Sequence, residues 1–473
     1  MRNTLLIALL AVGALGIPNV PDYIKAEKDD LWVCDDNMNK KGWDKLHMDD
    51  WVELFGNAWP HSLGGRDADK SKPYIRYVAD QTRNYGSIDC EIGITYSCDI
   101  TANRHDCRAK GNGITPVAYF HLMAMKRFSY FAQSLGDAID SAGSTVISNA
   151  ASIAAKFTDH DISKDDPSSA FSIAGGVFGI LGGIPGIGTF ANAAGGLGGV
   201  LSLEGTIMAP AQSAAALIVQ KEVHDIAKLQ ASLEKIKDNA RDAVWKWANQ
   251  IINDPLTKRP IDESNGWMKL LKGGAFADNI QQNWRKNFQN LHSITKQFNV
   301  FAISGSWQLD QIFVVKAKNI NGDLTKDYSK AKLDQFDGVC EDGDCYFFVR
   351  AQSFQNLLDG KWQTVKGLDS LKDYGLKPID MAKGAEWYKK INGGDITTQP
   401  ADLLKTLQNQ KKSAGKLWVS LPFIDYDEDV KSTSKIYHEG SGAPSDHSHF
   451  ISTLANHIPD VKNWPYDNDL STK

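Results

Sequence analysis

The sequence predicts a mainly α protein with an α+β C-terminal part, in which a bundle of long helices encloses a glycine-rich apolar helical hairpin. Three observations carry that expectation. Two stretches, 115–157 and 213–252, repeat apolar residues in steps of three or four, as one face of a helix requires. Between them, "AGGVFGILGGIPGIGTFANAAGGLGGV", residues 174–200, has no charge and too much glycine for an ordinary helix. After Phe301 the period shortens, and β-branched and aromatic runs alternate with helical pieces. The 473 residues suffice for two or three domains, and 42% hydrophobic with 23% charged residues is the composition of a globular protein. A net charge of −5 leaves no basic excess to attract nucleic acid, which is not an expected partner.

The chain opens "MRNTLLIALLAVGALGIPNVP". One Arg, an apolar run too short to span a bilayer and small residues before Pro18 read as a secretory signal peptide over 1–16. The expected location is therefore extracellular. Six cysteines fit a disulfide framework there. Cys340 and Cys345 flank an acidic turn with Gly343 and are expected to close a hairpin; Cys34, Cys90, Cys98 and Cys107 allow three pairings. No Asn-x-Ser/Thr acceptor occurs.

Residues 17–110 form a Trp- and Cys-rich region. Trp32, Trp43, Trp51 and Trp59 are expected to build a small core beside the disulfides, with a helix near Asp49–Trp59. The helical domain, 111–300, begins with Thr115 as N-cap and Pro116 in the first helical position. Its first stripe runs Val117, Phe120, Ala124, Phe128, Phe131, Leu135, Ile139, Ala142, Val146, Ala150, Ile153, Phe157. Gly136 and Gly143 weaken this helix without breaking the pattern. The second stripe runs from Val219 to Ile251, and a third helix is expected at 276–298. In the α+β domain, 301–473, "WQLDQIFVVKA" and "CYFFVRA" read as strands, "SFQNLLDG" and "GAEWYKKI" as helical pieces.

From Pro167 to Leu203 no residue is charged. Gly175, Gly179 and Gly183 are spaced by four, as are Ala191, Gly195 and Gly199. On a helix each trio lines one face, and small residues so spaced let helices approach closely in lipid. Pro185 and Gly186 mark the turn of a hairpin over 171–203. Ile180, Leu181, Ile184, Ile187, Phe190 and Leu197 would meet lipid. The arms are shorter than the roughly 20 residues a simple span needs, so a shallow hairpin, a bilayer-thinning oligomer or a remodelled hairpin fits better. A lipid membrane is thus the expected partner, with a homo-oligomer on it. The C-terminal domain would contact a ligand on a host or competitor cell. The alternative is a soluble secreted effector or binding protein whose hairpin is only structural core.

Two resemblances bear on this. The layout, an apolar hairpin between long amphipathic helices, resembles that of α-helical pore-forming toxins. The run "CEIGITYSCDITANRHDCRAKGNGITPVAYFHLMAMKRFSYFAQSLGDAI", Cys90 to Ile139, resembles an uncharacterised group of secreted proteins of filamentous fungi. That likeness implies a secreted, effector- or toxin-like fungal protein and supplies no catalytic residues.

No His-Glu-x-x-His, Gly-x-Ser-x-Gly or phosphate-binding Gly-Lys-Ser/Thr occurs, so neither an enzyme nor a cofactor is expected. Asp446, His447 and His449 share a polar loop and read as surface residues. Asp425, Asp427 and Asp429 lack the Gly and Glu of a calcium loop and read as a solvated acidic turn. His160 stands among Asp159, Asp161, Asp165 and Asp166 just before the hairpin, where low pH would ease insertion.

Overall fold

In a computed structural model, the described residues are 38–62, 73–80, 90–93, 97–98, 116–159, 226–253, 270–274, 276–278, 288–310, 312–318, 338–350, 364–392 and 416–425. They are mostly helical, 71%, with a small four-stranded mixed sheet. The hairpin, 171–203, lies outside them, as do the tail beyond Asp425 and the piece 353–360.

The chain divides into two compact units. The first takes 1–138, 189–203 and 241–288; the second takes 139–188, 204–240 and 289–473. In the first, α1 (Lys40–Lys45), α2 (Met48–Ser62) and α3 (Tyr74–Asp80) precede a two-residue ribbon, β1 (Cys90–Glu91) and β2 (Ser97–Cys98). Asn39 caps α1 through its side chain on the Gly42 N–H. Trp43 is buried, packs edge-on to Phe120, and donates its indole N–H to Asp49, which also accepts from the Gly273 N–H. Trp43 thus fills the core expected of it.

Helix α4 (Pro116–Ser148) starts on Pro116, and every residue of the first stripe is buried. The helix does not run unbroken to 157. It pauses at Asn149 and resumes as α5 (Ala150–Phe157). The Thr145, Ser148 and Asn149 side chains all turn back onto carbonyls of the preceding turn, offering the backbone rival partners at the break. Helix α6 (Ile226–Asn253) is about 42 Å long and carries the second stripe: Leu229, Leu233, Ile236, Ala240, Val244, Trp247 and Ile251 are buried. Residues 213–225 lie outside the described residues.

The two helices run antiparallel within each unit. In the first, Phe128 meets Trp247 edge-on and Gly136 faces Trp245. In the second, Gly143 faces Lys237, and the Gln230 amide donates to the Ile147 carbonyl. Arg127 ties α4 to the rest of the first unit. Its guanidinium donates to the Met38 and Ala277 carbonyls, with a longer contact to that of Phe276.

The third helix is displaced from its expected span. Phe276–Asp278 form a turn, and α7 runs Phe288–Leu309. Trp307, read from sequence as strand, is helical and buried, with its indole N–H on the Lys366 carbonyl. Tertiary burial outweighs the local β preference there. Strand β3 (Ile312–Lys318) follows, then β4 (Gly338–Glu341) and β5 (Asp344–Arg350), a 3₁₀ turn (Leu368–Tyr374), α8 (Pro378–Asn392) and β6 (Phe423–Asp425). The order is β4-β5-β3-β6, with β6 parallel to β3 and the other pairs antiparallel. Asp342 and Gly343, at φ 54° and 84°, form the two-residue turn of the β4–β5 hairpin. Ile312–Val315 and Cys345–Val349 are buried on both faces, which explains their continuous apolar runs. Helix α8 contains the expected "GAEWYKKI" and lies so close to 417–419 that a Cβ on Gly384 would sit 2.4 Å from Val419 Cγ2.

Gly136 separates local preference from packing. A Cβ there would stand 2.0 Å from the Trp245 indole nitrogen, whereas at Gly143 the closest atom, 2.6 Å away, belongs to the flexible Lys237 stem. Gly136→Ala is expected to destabilise by about 1–2 kcal/mol despite alanine's helix preference. Gly143→Ala is expected to cost less. Urea unfolding of the two variants checks the order.

Candidate functional site

The residues that sequence reasoning assigned to the membrane hairpin, from Gly175 to Gly199, lie outside the described residues, as do His160, Asp446, His447 and His449. Among the described residues no helix is long and apolar enough to cross a membrane, and no group of three His, Cys, Asp or Glu is placed to hold a metal. Cys340 is bonded to Cys345 across the hairpin, and Cys90 to Cys98 across the β1–β2 ribbon. Cys34 and Cys107 lie outside the described residues.

Ahead of the hairpin, Thr158 and Asp159 are both held in place. The Asp159 N–H donates to buried Asp310, whose other oxygen accepts from Arg350 at 3.0 Å. The Asp159 carboxylate pairs with Arg350 at 3.4 Å and Lys366 at 3.2 Å, and Lys366 also donates to the Thr158 carbonyl. Gly367, at φ 82°, lets this loop press on Lys156 and Phe157: a Cβ would stand 2.5 Å from the Lys156 carbonyl. Asp159, read as one of the acidic residues around His160 whose neutralisation would ease insertion, is an ion-paired residue.

Among the described residues of the second unit, a charged cluster gathers on the sheet. Register creates it. Lys316 of β3 lies opposite Tyr346 of β5 on one side and Asp425 of β6 on the other, so all three project from one face. Asp344, two residues from Tyr346, shares that face, and α8 brings Glu386 onto it. The Lys316 ammonium, 11% exposed, lies 2.9 Å from Glu386, 3.1 Å from Asp344 and 3.9 Å from Asp425. Glu386 also accepts from the Tyr346 hydroxyl at 2.7 Å and from Lys390 at 2.8 Å. At the hairpin tip Lys383 pairs with Glu341 and Asp342.

Burial opposes the charge on Lys316, but its hydrogen bonds to Glu386 and Asp344 outweigh that and hold its pKa above the ordinary lysine value. Burial likewise works against Glu386, yet bonds from Lys390, Tyr346 and Lys316 bring it down to about 2. Burial and the adjacent Glu386 push the Tyr346 phenol up. These bonds favour a charged Lys316, a charged Glu386 and a neutral Tyr346, and through them the cluster braces α8 against the sheet. Asp425 corrects the reading of a solvated turn: it is buried, because β6 docks beside β3 and sets it against Lys316. Asp427 and Asp429 lie outside the described residues.

Sequence reasoning missed Lys316, Glu386, Asp344 and Tyr346. The available signal was the lone Lys inside the apolar run "IFVVKA". Comparison with protein-family models, curated proteins and solved structures finds no match to this chain.

The Glu386 carboxylate binds its proton near 4.5 in the unfolded chain and near 2 in the folded one. Its contribution is present above about pH 4.5 and is lost as pH falls from there toward 2. Glu386→Gln is expected to lower stability at pH 7 by about 1–3 kcal/mol and to flatten the loss across that acid window. Denaturant unfolding from pH 7 to pH 2 checks both.

Proposed function

We propose that this is a secreted, disulfide-bonded protein that engages membranes, a pore-forming or toxin-like effector that inserts the apolar hairpin 171–203. One observation carries the reading: an uncharged run from Pro167 to Leu203, with two small-residue trios at spacing four, set between two long amphipathic helices. Gly175, Gly179, Gly183, Ala191, Gly195 and Gly199 form the packing face. Ile180, Leu181, Ile184, Ile187, Phe190 and Leu197 meet lipid. In water the flanking helices enclose the hairpin; on a membrane a homo-oligomer assembles. The C-terminal α+β part contacts a ligand on the target cell.

Three features support this reading. The stripe of α4 and α5 is buried, and its neighbours include Trp247, Phe276, Trp307 and Tyr374, which belong to neither arm of the hairpin. A scaffold with such partners has packing of its own if a hairpin departs. The ion pairs at Asp159 give the chain a fixed point ahead of the apolar run. Disulfides are compatible with the oxidising compartment of a secreted protein.

Dye release from liposomes tests the proposal, with the wild type beside a folded Gly179→Leu/Gly183→Leu variant. Release by the wild type, reduced at least tenfold in the variant, is expected. No release across pH and lipid composition overturns it in favour of a soluble secreted effector with the hairpin as core.

A further inference from the structure

His121 stands on α4 with no exposed surface. Phe55 of α2 and Tyr74 of α3 bound its ring, each with centroids 5.6 Å away. Its Nε2 lies 3.4 Å from the Tyr74 hydroxyl. Its Nδ1 has no hydrogen-bond partner among the described residues, and neither does the buried hydroxyl of Tyr77, one turn along α3.

Among the described residues, the titratable groups facing His121 are phenols. Tyr74 faces it directly, and Tyr77 lies behind, with ring centroids 6.3 Å from Tyr74. Burial pushes both above the ordinary tyrosine value, Tyr77 to about 12, so neither supplies an anion. Helix α2 presents the uncharged Phe55. On its own helix, Arg127 turns to backbone carbonyls. Burial alone brings the imidazole down to about 3, with no charged side chain opposing it.

A neutral imidazole asks for one donor and one acceptor; an imidazolium carries two N–H donors and a positive charge. Among the described residues, this cavity offers one polar contact and no counter-charge. A buried charge without a partner is strongly disfavoured in the fold.

We infer that His121 is an acid-sensitive lock on the first unit: its imidazole does not take up a proton from solvent while α4 stays packed against α2 and α3, so mildly acidic pH weakens that packing. This goes beyond the membrane reading and does not rest on it. The sign follows from linkage. The unfolded chain binds this proton near 6.5 and the folded chain near 3, so between those values the unfolded state carries more protons. Stability is full above about pH 6.5 and falls as the pH drops toward 3.

Equilibrium unfolding of the full chain at pH 7.5 and pH 5, wild type beside His121→Phe, tests the lock. The unfolding constant of the wild type is expected to rise roughly 30-fold more than that of the variant between the two values. The same pH dependence in both proteins overturns the inference. Should His121→Phe not fold, exchange of the imidazole C2–H in the wild-type peptide containing His121, followed by mass spectrometry from pH 7.5 to pH 5, decides. Slow exchange without a titration step is expected. A step near pH 6.5 at the rate of an exposed histidine overturns the lock.

Discussion

How near α6 comes to α4 governs the helical packing of both units. Where the two helices meet, side chains lie against bare backbone at two glycines. Trp245 reaches over Gly136, and Lys237 with Phe298 over Gly143. Each glycine gives up about 1 kcal/mol of helix preference relative to alanine. The return is burial of the full α4–α5 stripe, at roughly 25 cal/mol per Å² of apolar surface removed from water. Burial is the larger effect, and the helix tolerates its weak points.

Such tight packing leaves little room for water, so buried polar groups must find partners inside the protein. The structure meets this with long side chains that supply backbone partners. Arg127 reaches backbone carbonyls on two separate segments. Gln297 of α7 accepts from the Trp418 N–H at 3.3 Å and donates to its carbonyl at 3.1 Å, as a neighbouring strand would. Gln308 donates to the Ser420 carbonyl. Lys316 meets the same need for three carboxylates. His121 Nδ1 is one of several exceptions, with the Tyr77 hydroxyl, the Trp247 indole N–H and Gln308 Oε1 also without such a partner among the described residues.

Periodicity made the helical stripes legible because each is a local property of consecutive residues. The twelve positions from Val117 to Phe157 needed only steps of three and four. The Cys340–Cys345 hairpin was legible from turn chemistry over a few residues. The pause at Asn149 was not, because it depends on three short polar side chains choosing carbonyls over solvent. The end of α7 was misplaced because Trp307 favours strands locally and stands just ahead of the run "IFVV", while burial holds it in a helix. The Lys316 cluster was hidden for a different reason. Its members meet only through the register of β3 with β5 and β6 and the docking of α8, and nothing near Lys316 in sequence announces Asp425.

The parallel pairing of β3 with β6 also bears on how the chain is made. Val314 gives its N–H to the Pro422 carbonyl, more than a hundred residues further along. As the polypeptide emerges from the ribosome, β3, β4 and β5 can join as neighbours while β6 has yet to be synthesised. Until then β3 has one edge without its final strand and Lys316 lacks one of its three carboxylates. Pairings between distant segments form slowly, and a strand edge awaiting its partner is open to the wrong one. The pairing of β3 with β6 therefore waits until Phe423–Asp425 have been made, and a nascent chain halted before Phe423 carries an incomplete edge.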